Sequence, residues 1–400
     1  MVDARVNAVS EIDSLDGESL LNHVSALAYN IGPRPAGHPA ETRARTYIRK
    51  ALEEMGFDEV KVQPFTTPDT WAYALGTPFA LSLGGLLLGR LGRLGRAVGA
   101  VLGAGAAYLT WRAASGLSQP LDRVATHRPS ANLIARVPCT GRPRRTVVLI
   151  AHTDTNRHRD SFSDARKAAL PATTTALIGL QAAGAVAEAV GARWMGRAIG
   201  AAQVASIGAL LSDESGPYVD GANDNASAVA CLLGLGAALN AQPLEHTDVW
   251  LVFTGAEEVG LLGTHALLDE YGDLLRSAYF INFEMVGRGD LAYVSRHSGF
   301  SYLSGYAPDT DSVALIERTA SANRHFGIYG KDLMMLDEVA ALRRRGHRGI
   351  CLVGIDRDGW PANWHRDTDA IGNIQPEALE RAARFTMATL QTLDGEDSYR

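Results

Sequence analysis

Four stretches of this sequence end in residues that bind cations or move protons. The β-branched and apolar run Thr146 to Ala151 leads into His152-Thr153-Asp154, and Val249 to Thr254 leads into Gly255-Ala256-Glu257-Glu258. Ala278 to Phe283 leads into Glu284, and the loop after Ile350 to Ile355 carries His365. Asp224, inside GANDNASA, stands just before the helical pattern Ala226 to Leu239. Taken singly, each has a plain structural reading as a hydrogen-bonded histidine, a solvated pair of glutamates or a helix N-cap. Taken together, imidazoles and carboxylates gathered at strand ends and a helix start repel one another or stay unsatisfied unless a cation lies between them. Zinc accepts a mixed set of this kind, and a carboxylate can bridge two ions roughly 3.5 to 4 Å apart. The chemistry this predicts is two-metal hydrolysis.

Such a centre needs a sheet whose strands all end on one side. The apolar runs are short and suited to strands buried on both faces, and they alternate with helical patterns. The pattern predicts an α/β fold with a mostly parallel mixed sheet covered by helices on both faces, and the site outside the carboxyl ends of the strands. VKVQPF and ANLIARV add strand character before the first of these runs, and Gly17 to Phe57 reads as two helices around the loop GPRPAGHPAE. Pro376 to Leu393 reads as an amphipathic helix whose Leu379, Ala382, Phe385, Met387 and Leu390 pack against the sheet. The whole chain, 1–400, is expected to form one catalytic domain.

Lys and Arg total 38 against 44 Asp and Glu, a net charge of -6 that argues against a nucleic-acid partner. Cys139, Cys231 and Cys351 lie far apart with no C-x-x-C pair, so any metal is held by histidine and carboxylate. The first twenty residues carry Asp3, Glu11, Asp13 and Asp16 and no apolar core, and no cleavable signal peptide is expected.

The order H-x-D, G-A-x-D-N, G-x-E-E and a late H with D-T resembles the di-zinc exopeptidase family that includes bacterial leucyl aminopeptidases and glutamate carboxypeptidases. GPRPAG, the helix ending in EEMGF and the following V-x-V-Q-x-F are similar to that family too, and the likeness covers most of the chain. It implies a zinc exopeptidase acting on a peptide or small amide, most simply an aminopeptidase. Two zinc ions would be held by His152 and Glu284 on one side, by Glu258 and His365 on the other, and by Asp224 between them. Glu257 would be the general base of a bridging hydroxide, and Asp154 would hold the His152 imidazole in its ligating tautomer. Alternatives on the same scaffold are carboxypeptidase or glutaminyl cyclase chemistry, or a non-enzymatic membrane protein. Two departures stand out. Glu284 occupies a position where the family usually has Asp, and HRDTDAIGNI is compressed, leaving Asp367 as the expected partner of His365.

Two apolar insertions, 72–111 and 168–211, share one plan of apolar arm, arginine-bearing turn and second apolar arm. Each predicts a helical hairpin. Ala72 to Gly89 is free of charge, small residues recur at close spacing, and Trp71, Trp111 and Trp194 flank the arms. These features predict membrane association. Gln181 and Glu188 interrupt the second insertion and support the alternative of a buried cap or homo-oligomer interface.

Overall fold

The computed structural model describes residues 13–120 and 127–396. The expectation about the first residues therefore falls largely on residues outside those described. The chain runs α1 (Gly17–Val24), α2 (Pro39–Glu54), β1 (Val60–Thr67), α3 (Ala72–Leu88), α4 (Arg93–Ala114), β2 (Arg128–Val137), β3 (Arg145–His152), α5 (Leu170–Val190) and α6 (Arg193–Glu214). It continues through α7 (Ser227–Ala241), β4 (Thr247–Thr254), α8 (Leu262–Tyr271), β5 (Tyr279–Glu284), β6 (Asp290–His297), α9 (Thr310–Ala322), β7 (Tyr329–Leu333), α10 (Glu338–Arg344), β8 (Ile350–Ile355) and α11 (Pro376–Asp394).

The strands form one sheet in the order β1-β2-β4-β3-β5-β8-β6-β7. The central four, β4, β3, β5 and β8, are mutually parallel, while β2 pairs antiparallel with β1 and β4, and β6 antiparallel with β8. The strand period of two sends Val147 and Leu149 to one face and Val148 and Ile150 to the other. On the first face they meet Leu20, Ile48, Leu52, Leu232, Leu379 and Phe385 of α1, α2, α7 and α11. On the second they meet Leu267 and Leu268 of α8 and Leu342 of α10. Covered on both sides, the central strands read as unbroken apolar runs. β7 escapes that reading because it is the edge strand next to β6, and its YGKDL buries only Leu333 fully.

Register does the positioning. His152 lies opposite Thr254, the last residue of β4, and Ile150 lies opposite Asn282, which brings Glu284 level with His152. Both insertions fold as helical hairpins, and α3–α6 pack side by side as a four-helix bundle, with α4 against α5 and α6 against α3. Thr110 donates to Gln181 across the α4/α5 seam at 2.7 Å, and Gln203 to Ser82 across the α6/α3 seam at 2.9 Å.

Candidate metal centre

His152 closes β3 with its Nδ1 3.0 Å from the main-chain oxygen of Asp154. A carbonyl only accepts, so Nδ1 carries the proton and Nε2 is free. Nε2 faces Asp224 Oδ1 at 3.1 Å and Glu284 Oε2 at 3.4 Å. The Asp154 carboxylate has a different task from the one its spacing suggested. It accepts the N–H groups of Glu257 (3.0 Å) and Glu258 (3.1 Å) and stands 3.7 Å from the imidazole. The tautomer is thus held by the carbonyl of Asp154, while its side chain pins the turn after β4.

That turn is held from below as well. The Ala256 N–H donates to Glu41 Oε1 at 3.2 Å, and the buried Glu41 also accepts from Gly37 N–H and Ser130 Oγ. Ala256, Leu261, Met285, Asn363 and His365 all have φ between 47 and 60°. Ala256 and Met285 adjoin Glu257 and Glu284, Asn363 belongs to the loop of His365, and Leu261 lines the adjoining pocket. Left-handed backbone at residues other than glycine is costly and collects where the surrounding structure enforces a functional geometry.

Asp224 caps no helix. Its N–H and that of Asn223 donate to the two oxygens of the Asp369 carboxylate, at 3.0 and 2.6 Å, which turns the Asp224 side chain toward the two histidines. Asn225 Nδ2 donates to Phe283 O and to Glu284 Oε2, and Met285 N–H donates to Asn225 Oδ1. The longer side chain at position 284 therefore still reaches the His152 and Asp224 group.

His365 Nε2 lies 3.3 Å from Asp224 Oδ2 and 3.2 Å from Glu258 Oε2. Asn156 Nδ2 donates to that Glu258 oxygen at 2.6 Å, and the Phe162 ring packs on the imidazole with centroids 4.3 Å apart. Asp367 does not orient His365. It is largely exposed and pairs with His158, because the compressed loop turns it outward and brings Asp369 inward in its place. Arg34 of GPRPAG, buried, donates to the main-chain oxygens of Gly32, Thr153, Asp220 and Gly221, and so ties the loop before Asp224 to the segment after His152.

The electrostatics are those of crowded like charges. Burial, reinforced by the charges of Glu258, Glu338 and Glu284, pushes the Glu257 carboxyl well above its usual range, and burial does the same to Glu284. Burial and the charge of Asp224 push Asp369 up to about 7. Burial alone pulls His365 down, but Glu258 and Asp224 lift it to about 9, and Glu284, Asp154 and Asp224 lift His152 against burial in the same way. Burial opposes ionisation of Asp224, yet its bonds to the two histidines hold it below the usual carboxylate range.

Among the described residues four groups of donors have ligand atoms within 4.8 Å of one another: His152-Asp224-Glu284 and Asp224-Glu258-His365, which share Asp224, and His152-Glu257-Glu258 and Glu257-Glu284-Glu338. Glu258 Oε1 is buried without a hydrogen-bond partner. A cation in each of the two sets that share Asp224 satisfies what the protein leaves unbalanced, so these residues fit two zinc ions. Trp71, Phe300, Met335, Leu336 and Trp364 wall the adjoining pocket.

A model of peptidase family M28 matches residues 132–390, from within β2 to within α11. The chain belongs to peptidase family M28. This M28 enzyme is accordingly a zinc metallopeptidase of the hydrolase class. Its fold is similar to that of a zinc aminopeptidase from Bacillus subtilis (14% identity, TM-score 0.58, covering 96% of this chain and 97% of that one). It is equally similar to a glutaminyl cyclase from Bacteroides thetaiotaomicron bound to N-acetylhistamine (15% identity, TM-score 0.58, covering 96% and 99%). A leucine aminopeptidase precursor from Bacteroides thetaiotaomicron gives 16% identity and a TM-score of 0.57, covering 96% and 98%. No curated protein matches the sequence.

Several residues that shape the centre of this M28 peptidase were missed in the sequence. Asn156, Asp369 and Arg34 act through contacts between segments far apart along the chain. Glu338, at the start of α10, forms an all-carboxylate group with Glu257 and Glu284 and accepts from Thr254 Oγ1 at 3.0 Å. A strand-end search could not find it because it belongs to a helix.

Proposed function

We propose that the protein is a di-zinc aminopeptidase. The observation that carries this reading is the pair of donor sets joined through one carboxylate, with Glu257 beside them. His152 and Glu284 would hold one ion, Glu258 and His365 the other, and Asp224, whose two oxygens face the two histidines, would serve both. Zinc in these positions supplies a Lewis acid for the scissile carbonyl and brings the pKa of water toward neutrality. Glu257, buried and raised, takes the proton of the attacking water and returns it to the departing amine.

The pocket supports the amino rather than the carboxyl terminus. Its lining contains Asp224, Glu257, Glu258 and Glu284 and, among the described residues, no lysine or arginine. With Asp224, Glu258 and Glu284 engaged by the two ions, that lining offers no side-chain cation to pair the terminal carboxylate of a carboxypeptidase substrate. The walls of Trp71, Phe300, Met335 and Trp364 suit an apolar first side chain. Metal analysis with a substrate panel tests this. Expected are close to two zinc ions per chain and release of the first residue from peptides, lost on chelation. Shortening from the other end, or loss of ammonia from an N-terminal glutamine without shortening, would replace the reading.

We also read the enzyme as membrane-associated. Ala72–Leu91 and Lys167–Val190 have the length and composition to cross a bilayer, and only 33% and 28% of their most apolar windows are buried. Enzyme recovered entirely in the soluble fraction would sink this part alone.

A further inference from the structure

Residue for residue, the bundle α3–α6 is built inside out for a protein in water. Most of its buried positions are small or polar, among them Ser82 and Gly85 of α3, Gly99 and Gly103 of α4, Gln181 of α5 and Gln203 of α6, with Phe79, Ile178 and Ile199 the large apolar exceptions. Large apolar side chains within its uncharged arms point away from it, with Leu87 58%, Val101 71%, Val186 58%, Val204 59% and Leu211 60% exposed. A helix covered by water buries its large apolar face, and a contiguous exposed belt of this kind marks a surface that meets another phase. Between helices surrounded by lipid the hydrophobic drive is absent, and close backbone approach and interhelical hydrogen bonds hold the bundle instead. Both are present here. A Cβ on Gly85 would lie 2.8 Å from Gly99 O, and one on Gly103 3.0 Å from Ala185 N. The Thr110–Gln181 and Gln203–Ser82 bonds cross the two seams, while Thr77 and Ser206 donate back to carbonyls of their own helices.

Length and charge fit a bilayer. α4 and α6 each contain 22 residues. At about 1.5 Å per residue they match a hydrocarbon layer about 30 Å thick. Segments 72–89, 97–111, 168–187 and 198–212 hold no charged residue. Arg90, Arg93, Arg96, Arg193 and Arg197 cluster at the turns, the end far from the catalytic domain. None of the five has an ion-pair partner among the described residues, and Glu188 is the acid at that end. At the other end Arg112, Arg157 and Arg166 have no ion-pair partner among the described residues, but two of the basic residues there are paired with acids. Arg159 pairs with Glu214 at 2.7 Å, and Lys167 with Asp164 and Asp358 at 2.8 Å. Aromatic side chains ring that foot: Tyr73, Tyr108, Trp111 and Tyr302, with Trp111 Nε1 donating to Leu303 O.

We propose that α3–α6 span a lipid bilayer as two hairpins, with the arginine turns in the cytoplasm and the catalytic domain on the opposite side. The proposal rests on the membrane reading above and extends it to depth and orientation. Five arginines at two short turns, with Glu188 the acid beside them, outweigh the partly paired basic residues at the other end and favour the cytoplasmic side. Since Trp71 both precedes α3 and lines the metal-centre pocket, the pocket lies at the foot of the bundle. The substrate is then a peptide whose amino terminus lies near the outer headgroup layer.

The full chain expressed in a bacterial host provides the test, with membranes washed in alkaline carbonate and cysteine probes read in intact and permeabilised cells. A Cys139→Ser background removes the half-buried native thiol. Expected is retention through the carbonate wash and release by detergent as a monodisperse particle. A membrane-impermeant maleimide should label Tyr302→Cys in intact cells and Leu91→Cys only after permeabilisation. Val101→Arg with Val204→Arg, at exposed positions inside the uncharged arms that water would tolerate, should abolish retention. A soluble monodisperse monomer, or a detergent-free dimer closed over these faces, would overturn both the membrane reading and this proposal. Membrane protein that carbonate extracts, or labelling with the two positions reversed, would overturn the proposal and leave membrane association standing.

Discussion

In the catalytic domain the largest side chains lie deepest, with Phe253, Phe280, Phe283 and Phe385 fully buried, whereas in α3–α6 glycine, alanine, serine and glutamine make up most of the interior beside Phe79, Ile178 and Ile199, and most leucines and valines face outward. The two regions are comparably apolar and differ in where the apolar mass points. In the sheet, burial of large residues from water supplies the stabilisation. In the bundle the same residues contribute nothing until another phase covers them. The polar groups invert as well. The bundle pairs its few polar side chains across helix seams, while the catalytic domain drives acids and histidines together at the strand ends, where only a cation balances them.

The largest effect expected from breaking this arrangement is on turnover. Glu257→Gln removes a proton carrier and no proposed ligand, so kcat should fall about a thousandfold while zinc content stays near wild type. Steady-state kinetics beside metal analysis would read both, and a near-normal rate would dismiss Glu257 as the base. In the core, Phe385→Ala leaves a void behind α11 and should cost about 3 to 5 kcal/mol in denaturant unfolding. Loss of less than about 1 kcal/mol would mean that α11 repacks over the gap.

Glu284→Ala should reduce the occupancy of one zinc selectively, leaving the ion on the Glu258 and His365 side. Equal loss of both ions would show that the two sets do not fill independently. A finer test follows from the metal-free electrostatics. His365, pulled down by burial but lifted to about 9 by Glu258 and Asp224, stabilises the stripped fold below its ordinary value near 6.5. That contribution disappears as pH rises through about 9. Asp369, kept neutral by burial up to about 7, adds a cost that sets in above its ordinary value of 3.8 and is complete beyond about 7. The Tm of chelated protein should therefore fall between pH 6 and 9. Zinc-loaded protein should gain relative to it over the same range, because the ion needs deprotonated imidazoles. A chelated Tm that rises with pH would contradict both assignments. The smallest effect belongs to the bundle surface. Leu94→Ala in detergent should change stability by less than about 0.5 kcal/mol, against the several expected at Phe385.

The sequence by itself determined the parts that depend on local order along one strand or helix. Apolar runs ending in His152, Glu257-Glu258 and Glu284 were legible because a strand's register and direction fix which end its next residue occupies. The hairpins were legible because uncharged arms and basic turns are contiguous in the chain. What only the tertiary structure decided depends on which distant segment meets each turn. Asp154 gives its carbonyl to His152 and its carboxylate to the turn after β4, because that turn supplies two N–H groups at the right distance. Asp369 rather than Asp367 reaches the Asp224 turn, because the His365 loop adopts left-handed backbone at Asn363 and His365. Asn156 and Glu338 carry no local signal, since each acts on groups more than eighty residues away in the chain, and Arg34, although it stands in GPRPAG, shows its reach to Asp220 only in the fold. The same holds for the bundle, where composition made the helices predictable and packing alone decided which of their faces stayed uncovered.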